Sequence, residues 1–165
     1  MPTVFNADEI LKIAEQIERN GASYYRRAAE SSSDEEVRKY LLDLAVWEEG
    51  HEKVFSGLRK QLGEEGAKTE PFDPDDEMTR HLKVMADVLV FDVKPYSPAH
   101  LTGEETFKEV IEKALLLEKD SIAYYIAIKE AVPESLGRDK IDAIIKEEMG
   151  HVSSLNERLA SLREA

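Results

Sequence analysis

The chain has 165 residues, of which 42% are hydrophobic and 35% are charged, and its formal net charge is −13. This size and composition predict a single helical domain over 1–165, whose acidic surface repels nucleic acid and anionic membranes, so neither is expected as a partner. The lack of cysteine excludes disulfides, zinc ribbons and cysteine-ligated iron, and the lack of a signal peptide or an apolar membrane span favours the cytoplasm.

The first predicted hairpin spans about 6–62 and contains two helices joined by a short turn. Asn6 with Glu9, and Ser33 with Glu36, are capping-box patterns that predict the two helix starts. The short connection implies that these helices are antiparallel neighbours. Helical spacing predicts the buried faces: Leu11, Ala14, Glu18, Ala22, Tyr25 and Ala29 in the first helix, and Val37, Leu41, Leu44, Glu48, His51, Phe55, Leu58 and Leu62 in the second.

A crossover of about 63–101 follows the first hairpin and holds four of the six prolines in the chain. A shorter amphipathic helix is predicted within it, at about 75–91, as a packing element or a dimer surface. His81 and His100 lie in this crossover without matching partners elsewhere in the sequence. They are therefore expected to be structural or solvated.

The second predicted hairpin spans about 102–163. Its first helix is expected to start at Thr102, with Glu105 three residues on, and its second helix around Pro133. The predicted buried faces are Ile111, Ala114, Leu115, Glu118, Ile122 and Tyr125, then Ile141, Ile144, Glu148, His151, Leu155, Leu159 and Leu162. Two hairpins joined by a long crossover predict an all-α, ferritin-like antiparallel four-helix bundle with a short extra helix in the crossover.

The two hairpins align without a gap at an offset of 100 positions and share several identical residues, which indicates a repeated architectural unit. The matching pairs include Glu18 and Glu118, Tyr24 and Tyr124, Tyr25 and Tyr125, Glu30 and Glu130, Glu48 and Glu148, Gly50 and Gly150, and His51 and His151. A lone Glu followed thirty positions later by Glu-x-x-His therefore occurs twice. Carboxylate and imidazole are side chains that ligate transition metals.

The repeated carboxylates are expected to meet at one level of the bundle. Residues 18 and 48 are equally distant from position 33, the first turn, and residues 118 and 148 are equally distant from position 133. Each carboxylate therefore lies about 15 residues, or roughly 22 Å of helix, from its turn. Two similar hairpins related by a pseudo-twofold axis would bring all four carboxylates together, with the histidines on the same faces.

Four buried carboxylates repel one another, and two divalent cations would neutralise them. Oxygen and imidazole ligands suit iron or manganese, with zinc as a further alternative. The sequence therefore predicts a dinuclear metal site held by Glu18, Glu48, His51, Glu118, Glu148 and His151. Neighbouring residues are expected elsewhere: Glu49, Glu52 and Glu147 on solvated faces, and Trp47 and Met149 in packing.

Two repeated pairs beside these ligands have open roles. Tyr25 and Tyr125 follow the lone glutamates by seven residues on the same face, so they are either core aromatics or candidate catalytic residues that hydrogen-bond the metal ligands. Their neighbours Tyr24 and Tyr124 are expected in packing. The repeated mid-helix glycines at 50 and 150 cost about 1 kcal/mol each relative to alanine, which suggests a close approach of another segment.

The motifs resemble the di-iron domain of the rubrerythrin family, within the ferritin-like superfamily, over about 8–163. They read IERNGASYY at 17–25, EEGH at 48–51, LEKDSIAYY at 117–125 and EMGH at 148–151; two lone Glu plus two Glu-x-x-His are the known signature of that superfamily. The resemblance implies two irons bridged by Glu48 and Glu148. It implies Glu18 and Glu118 as terminal carboxylates and His51 and His151 as terminal nitrogen ligands.

Two departures from the family pattern bear on the expected activity. Rubrerythrins usually carry a further Glu where this chain has Ser121, and they commonly carry a C-terminal rubredoxin domain with four cysteines. The resemblance implies a non-haem di-iron oxidoreductase that reduces hydrogen peroxide, here with electrons from an external donor such as a rubredoxin-like protein.

Three other functions remain open from the sequence. The first is a ferroxidase or iron-handling protein, with Fe(II) as substrate and O₂ or peroxide as oxidant. The second is a dimanganese catalase-like enzyme, because the ligand types do not select iron over manganese. The third is a metal-free helical interaction module, with assembly as a homodimer through the crossover helix.

Overall fold

The computed structural model describes residues 7–64, 80, 84, 100–132 and 134–164. Four long helices account for most of them: α1 (Ala7–Glu30), α2 (Glu35–Glu64), α3 (Phe107–Ala131) and α4 (Arg138–Glu164). Helix α1 packs along α2, and α3 packs along α4, as two hairpins. The described residues contain no β-strand, so the predicted all-α four-helix architecture is confirmed.

The core consists of two hydrophobic clusters at opposite ends of the bundle. One joins the first half of α1 and the second half of α2 to the second half of α3 and the first half of α4, around Phe55, Tyr124 and Ile141. The other joins the complementary halves around Tyr24, Leu41 and Leu155. This arrangement places the two hairpins head to tail. It leaves one level of the bundle, between the clusters, where the buried side chains are polar.

Nearly all the side chains predicted to be buried lie in the core. Val37 and Ile122 pack partly buried against its two clusters. The prediction that Leu162 is buried is wrong, since this residue is 39% exposed. It lies in the last turn of α4 and borders an open cavity that the α1–α2 turn at 31–34 also lines.

Helix α2 begins at Glu35, two residues later than the Ser33 pattern predicts. The cause is Asp34, whose Oδ1 accepts hydrogen bonds from the backbone N–H groups of Glu36 at 2.9 Å and Val37 at 3.0 Å. An aspartate that accepts from the free N–H groups of the first turn is a favoured helix cap. The turn is therefore short, which keeps α1 and α2 in contact along their lengths.

Helix α3 begins at Phe107 rather than at Thr102. Thr106 is its N-cap, in a capping box with Glu109. The predicted capping pair, Thr102 and Glu105, instead forms a separate turn before the helix. In that turn the Glu105 carboxylate accepts hydrogen bonds from the backbone N–H of Thr102 at 2.8 Å and from that of residue 103 at 2.9 Å. Residue 103 is a glycine with φ of +89°, a conformation that ends any continuous helix there.

Helix α4 begins at Arg138, five residues later than predicted. A short 3₁₀ helix, Glu134–Leu136, precedes it, and Gly137 with φ of +103° separates the two. A side chain at Gly137 would also collide with Leu58, because its Cβ would lie 2.6 Å from the Leu58 Cδ2 atom. Pro133 and Asn6, on which two helix starts were predicted, lie outside the described residues.

The predicted crossover helix at 75–91 lies outside the described residues, except for Arg80 and Val84, which are helical. His81 lies outside them as well. His100 is half-buried, and its carbonyl oxygen accepts a hydrogen bond from Lys113 Nζ at 3.0 Å. Among the helices described, none is long and apolar enough to cross a membrane.

Candidate metal centre

The polar level between the hydrophobic clusters holds the six predicted ligands, and each is at most 8% exposed. They form two sets of four whose ligand atoms lie within 4.8 Å of one another. Two members, Glu48 and Glu148, belong to both sets. The sets are Glu18, Glu48, His51 and Glu148, and Glu48, Glu118, Glu148 and His151.

Each histidine directs its Nδ1 atom into this layer. His51 Nδ1 lies 2.7 Å from Glu148 Oε1 and 3.3 Å from Glu18 Oε2. His151 Nδ1 lies 3.0 Å from Glu148 Oε2 and 3.5 Å from Glu48 Oε1. The two imidazole rings stack with their centroids 5.7 Å apart. Each imidazole thus contacts carboxylates of both hairpins.

Four buried atoms in this layer have no hydrogen-bond partner: Glu18 Oε2, Glu48 Oε1, His51 Nδ1 and Glu148 Oε1. His51 Nδ1 and Glu148 Oε1 are close, at 2.7 Å, but they are not aligned for a hydrogen bond with each other. Two ligands about 2.1 Å from one metal ion, at right angles, lie about 3 Å apart. The unpartnered atoms and their spacing therefore fit a shared cation better than they fit direct hydrogen bonding.

The charges in the layer perturb one another strongly. Burial, followed by repulsion from neighbouring carboxylates, raises the pKa of Glu48 and that of Glu118 well above the usual range, and it raises the pKa of Glu18 as well. Burial opposes protonation of the histidines, but the adjacent carboxylates outweigh it and raise the pKa of His51 to about 11 and that of His151 to about 12. Protons therefore balance the carboxylates when no metal does.

The carboxylate of Glu148 behaves differently from the other three. Burial opposes its ionisation, but the nearby His151 and His51 outweigh burial and lower the pKa of Glu148 below the usual range. Glu148 therefore stays ionised between the two imidazoles. A carboxylate that contacts both histidines is suited to bridge two cations.

Two tyrosine hydroxyls bind the lone glutamates across the hairpins. Tyr25 donates to Glu118 Oε1, and Tyr125 donates to Glu18 Oε1. Burial and the neighbouring carboxylates raise the pKa of both tyrosines well above 10, so each hydroxyl keeps its proton. Because Tyr125 occupies one oxygen of Glu18, the unpartnered Oε2 remains directed at the centre.

The adjacent tyrosines have the packing role that the sequence predicts. Tyr24 and Tyr124 are fully buried in the two hydrophobic clusters. Tyr24 donates to the carbonyl oxygen of Val110 at 2.7 Å, and Tyr124 donates to that of Ile10 at 3.2 Å. These hydrogen bonds tie the two hairpins together on either side of the polar level.

Glu147 lies on a solvated face, as predicted, with a side chain that is 45% exposed, but it also contacts a candidate ligand. Its Oε2 atom lies 2.7 Å from His51 Nε2, because Nδ1 of that ring points inward and Nε2 therefore points toward α4. The two other flanking glutamates remain on the outer surface, where Glu49 pairs with Arg26 and Glu52 pairs with Arg19.

Trp47 and Met149 are not packing residues, because they are 53% and 55% exposed. The Trp47 indole lies edge-on to the His151 ring, with centroids 6.1 Å apart. Trp47 lines both of the surface grooves between α2 and α4. The sequence could have predicted the exposure of Trp47, because residue 47 is equivalent in the repeat to Glu147, which was predicted to face solvent.

Two grooves between α2 and α4 reach the histidines from the surface. One, of about 330 Å³, is lined by Trp47, Glu147 and His151, together with Tyr40, Asp43, Leu44, Gly150 and Ser154. The other, of about 790 Å³, is lined by His51 and by Trp47 and Glu147 again. Because the glutamate ligands are almost fully buried, these grooves offer a small molecule two routes of approach to the layer.

Three helix glycines have different surroundings. A Cβ at Gly21 would lie 2.9 Å from Glu48 Oε2, so this glycine makes room for the Glu48 carboxylate. A Cβ at Gly50 or Gly150 would meet no described atom within 4 Å. Within the part of the chain that the structure describes, no close segment explains the two repeated glycines. They instead border the grooves beside His51 and His151.

Substitution of these glycines by alanine is expected to have two different effects: it should stabilise the helix at positions 50 and 150, and it should displace a metal ligand at position 21. Gly50→Ala and Gly150→Ala should each stabilise the fold by about 1 kcal/mol, because alanine is the better helix former and meets open space. Gly21→Ala should displace the Glu48 carboxylate and weaken metal binding by about 10-fold or more. Thermal unfolding and metal titration measure the two effects. Wild-type metal affinity in Gly21→Ala would contradict this account of the residue.

Comparison with solved structures places this architecture among known folds. The crystal structure of a Thermotoga maritima protein, described as a candidate ferritin-like diiron-carboxylate protein, matches with a TM-score of 0.68. The match covers 94% of this chain and 95% of that chain, at 25% sequence identity. The fold is ferritin-like. No family model and no curated protein gives a significant match to the sequence.

The ferritin-like fold confirms the predicted architecture without distinguishing the rubrerythrin family within the superfamily. In this ferritin-like bundle, the clustered Glu and His side chains fit a dinuclear metal site between the hairpins. The fit rests on the unpartnered buried atoms and on the donor types, which are carboxylate oxygen and imidazole nitrogen.

Proposed function

We propose that this protein is a non-haem di-iron oxidoreductase that reduces hydrogen peroxide with electrons from a separate donor, such as a rubredoxin-like protein. The observation that carries the proposal is the overlap of two buried four-residue sets through Glu48 and Glu148. Shared carboxylates hold two cations next to each other, as chemistry at a pair of oxygen atoms requires. The description of the Thermotoga maritima protein as diiron-carboxylate supports iron as the metal.

The ligand roles follow from the two sets. Glu48 and Glu148 would be shared by the two irons, Glu18 and His51 would complete the ligands of one, and Glu118 and His151 would complete those of the other. When bound as Fe(II), the pair supplies two electrons, which with two protons convert one hydrogen peroxide into two waters by breaking the O–O bond.

The protein side chains control access and geometry. The hydrophobic clusters above and below the layer exclude bulk water, so charges at the centre interact strongly. Tyr25 and Tyr125 hold the terminal carboxylates in one orientation. The grooves beside His51 and His151 admit a small oxidant. Electrons would come from a donor protein that docks at the surface.

Ser121 bears on how the ligands behave during turnover. It occupies the position of the further Glu in rubrerythrins, and its Oγ donates to the carbonyl oxygen of Leu117 at 2.9 Å. The hydroxyl therefore serves the α3 backbone, one turn back along the helix. We expect each iron to keep the same protein ligands in both oxidation states, because no seventh side chain of the described set competes for it.

Acidic residues at the grooves favour one second candidate, a ferroxidase for which Fe(II) is the substrate. Asp43 and Glu147 line the groove beside His151, and the chain carries a net charge of −13. Such a surface raises the local concentration of cations. In this alternative Fe(II) enters, is oxidised and leaves, whereas in the leading proposal the irons remain in place.

A turnover assay separates the two functions. Protein loaded anaerobically with two Fe(II) per chain receives hydrogen peroxide and reduced rubredoxin, with or without additional Fe(II). We expect many turnovers without added Fe(II), loss of activity in Glu48→Gln, and retention of activity in Glu49→Gln, whose side chain is on the outer surface beside Arg26. Peroxide consumption that continues only while Fe(II) is supplied would reject the peroxidase proposal in favour of the ferroxidase.

A further inference from the structure

The repeat between the hairpins breaks immediately before the two shared carboxylates, at a position that touches a candidate ligand. All six ligands and both hydrogen-bonding tyrosines recur at an offset of 100, but residue 147 is Glu and residue 47 is Trp. These residues immediately precede Glu148 and Glu48, the carboxylates shared by both metal positions. The difference therefore lies between two positions that otherwise have the same ligand types.

The structure places these two residues against the outer edges of opposite histidines. Glu147 Oε2 lies 2.7 Å from His51 Nε2. Trp47 instead presents its ring edge-on to His151, with centroids 6.1 Å apart, and no carboxylate of the described residues contacts His151 Nε2. His51 thus has a charged hydrogen-bond acceptor on its outer side, and His151 has an aromatic ring.

We propose that Glu147 is a positioning residue that makes the two metal positions unequal, so that the position completed by His51 fills first and binds its ion more tightly. The proposal rests on the dinuclear centre proposed above. It adds an order of binding and a cause for that order, neither of which follows from the ligand set alone.

The physical cause is the second nitrogen of the imidazole ring. Because His51 directs Nδ1 inward, its Nε2–H can donate to the Glu147 carboxylate. That hydrogen bond selects the tautomer with a free Nδ1 lone pair, fixes the orientation of the ring and makes Nδ1 a stronger donor to a metal. Loss of such a partner typically weakens metal binding by about 10–100-fold.

Neither the types of the carboxylate ligands nor their tyrosine partners distinguish the two positions. The bridging carboxylates Glu48 and Glu148 belong to both sets. The terminal carboxylates have equivalent partners, since Tyr125 donates to Glu18 and Tyr25 donates to Glu118. The stronger donor at His51 also makes an ion there easier to oxidise, so the two irons of the proposed reaction would differ in how readily they release an electron.

Stepwise titration with Mn²⁺ tests the proposal without any turnover. Calorimetry, with electron paramagnetic resonance to count bound ions, should resolve two steps in the wild-type protein that differ at least about 10-fold in affinity. In Glu147→Gln the tighter step should weaken by about 10–100-fold and approach the other. Trp47→Glu should tighten the weaker step, and Glu49→Gln, altered at an exposed neighbour of Glu48, should leave both steps unchanged.

A spectroscopic signature separates this role from general stabilisation of the fold. In Zn²⁺-loaded protein, the His51 Nε2–H proton should give a strongly downfield resonance that moves upfield in Glu147→Gln, because the amide oxygen is an uncharged and weaker acceptor, while the His151 signals stay in place. Glu147 has a 45% exposed side chain, so the glutamine variant is expected to fold.

The possible results separate this proposal from the function on which it rests. Equal affinities in the wild-type protein, or unchanged steps in Glu147→Gln, would overturn the role of Glu147 and leave the dinuclear centre intact. Failure of the wild-type protein to bind any ion would overturn the dinuclear centre itself. Weakening of the tighter step alone, together with an upfield shift of the His51 resonance, would support the proposal.

Discussion

Glu48→Gln protein is expected to bind neither metal ion, whereas Glu118→Gln protein should retain one. Glu48 belongs to both four-residue sets, and Glu118 belongs to the set with His151 alone. Glutamine keeps the volume of glutamate but removes the charge and one of the two oxygens that a bridge needs. After removal of excess Mn²⁺, the bound metal should therefore be two equivalents per chain in the wild-type protein, none in Glu48→Gln and one in Glu118→Gln.

The neighbouring Glu49 provides the matched control for this experiment. It lies on the outer surface in an ion pair with Arg26, one residue from Glu48, and Glu49→Gln should retain two equivalents. If the position of His51 fills first, the ion that Glu118→Gln protein keeps should be the more tightly bound of the two. Two equivalents in Glu48→Gln would show that the ions bind elsewhere.

Metal removal is expected to lower the stability of the fold markedly. At free metal 100 times the dissociation constant, binding stabilises a protein by about 2.7 kcal/mol per site, or about 5 kcal/mol for two sites. For a chain of this size, that corresponds to a fall in melting temperature of about 10–20 °C when the metal is chelated. Scanning calorimetry with Mn²⁺ or with a chelator measures the difference directly.

The difference in melting temperature between metal-loaded and metal-free protein should widen as the pH rises from 6.5 to 8.5. Native His51 and His151 have pKa values raised to about 11 and 12, against about 6.5 in the unfolded chain. Their contribution to stability is complete below pH 6.5 and is lost as the pH rises toward those values, by at most about 1.4 kcal/mol per pH unit for each group. The raised pKa values of Glu18, Glu48 and Glu118 act in the same direction above pH 4.5.

The metal-free protein loses stability as the pH rises, whereas metal binding becomes stronger, because bound ions replace the protons. Loading should release protons from both histidines, so metal affinity should increase with pH over the same interval. Glu48→Gln, which is expected to bind no metal, serves as the control and should melt at the same temperature with and without Mn²⁺. Equal melting temperatures of metal-free and metal-loaded wild-type protein would contradict this prediction.

The spacing of the ligands made their convergence predictable from the sequence. A helix rises by a constant amount per residue, so equal distances from the turns at 33 and 133 place the carboxylates at one height. A glutamate on an apolar face is rarely buried without a partner, which points to a site rather than to surface charge. The structure accordingly brings all six side chains into the same buried layer.

The helix starts were less predictable because several capping patterns compete. Thr102 with Glu105 and Thr106 with Glu109 have the same spacing, and the structure uses both, one as a turn and one as the cap of α3. The choice depends on the glycine at 103, whose positive φ bends the chain between them. Local propensity does not decide between two adjacent caps of similar strength.

The contacts of Glu147 and Trp47 depend on the separation of α2 and α4, which a helical wheel does not contain. The wheel correctly directs residue 147 away from the centre. A long glutamate side chain at that position nevertheless reaches the outer nitrogen of His51 across the groove. Position 47 faces the equivalent groove, and there the indole remains half exposed beside His151. Comparison of unlike residues at equivalent repeat positions was the signal that could have identified both.

The central claim is that six side chains from two similar hairpins hold a pair of metal ions. Anomalous scattering from crystals grown with Fe²⁺ under anaerobic conditions tests it most directly. We expect two peaks about 3.5–4 Å apart, a spacing typical of paired metal ions, with Glu48 and Glu148 between them and one histidine at each. A single peak, no peak, or peaks outside this buried layer would contradict the claim.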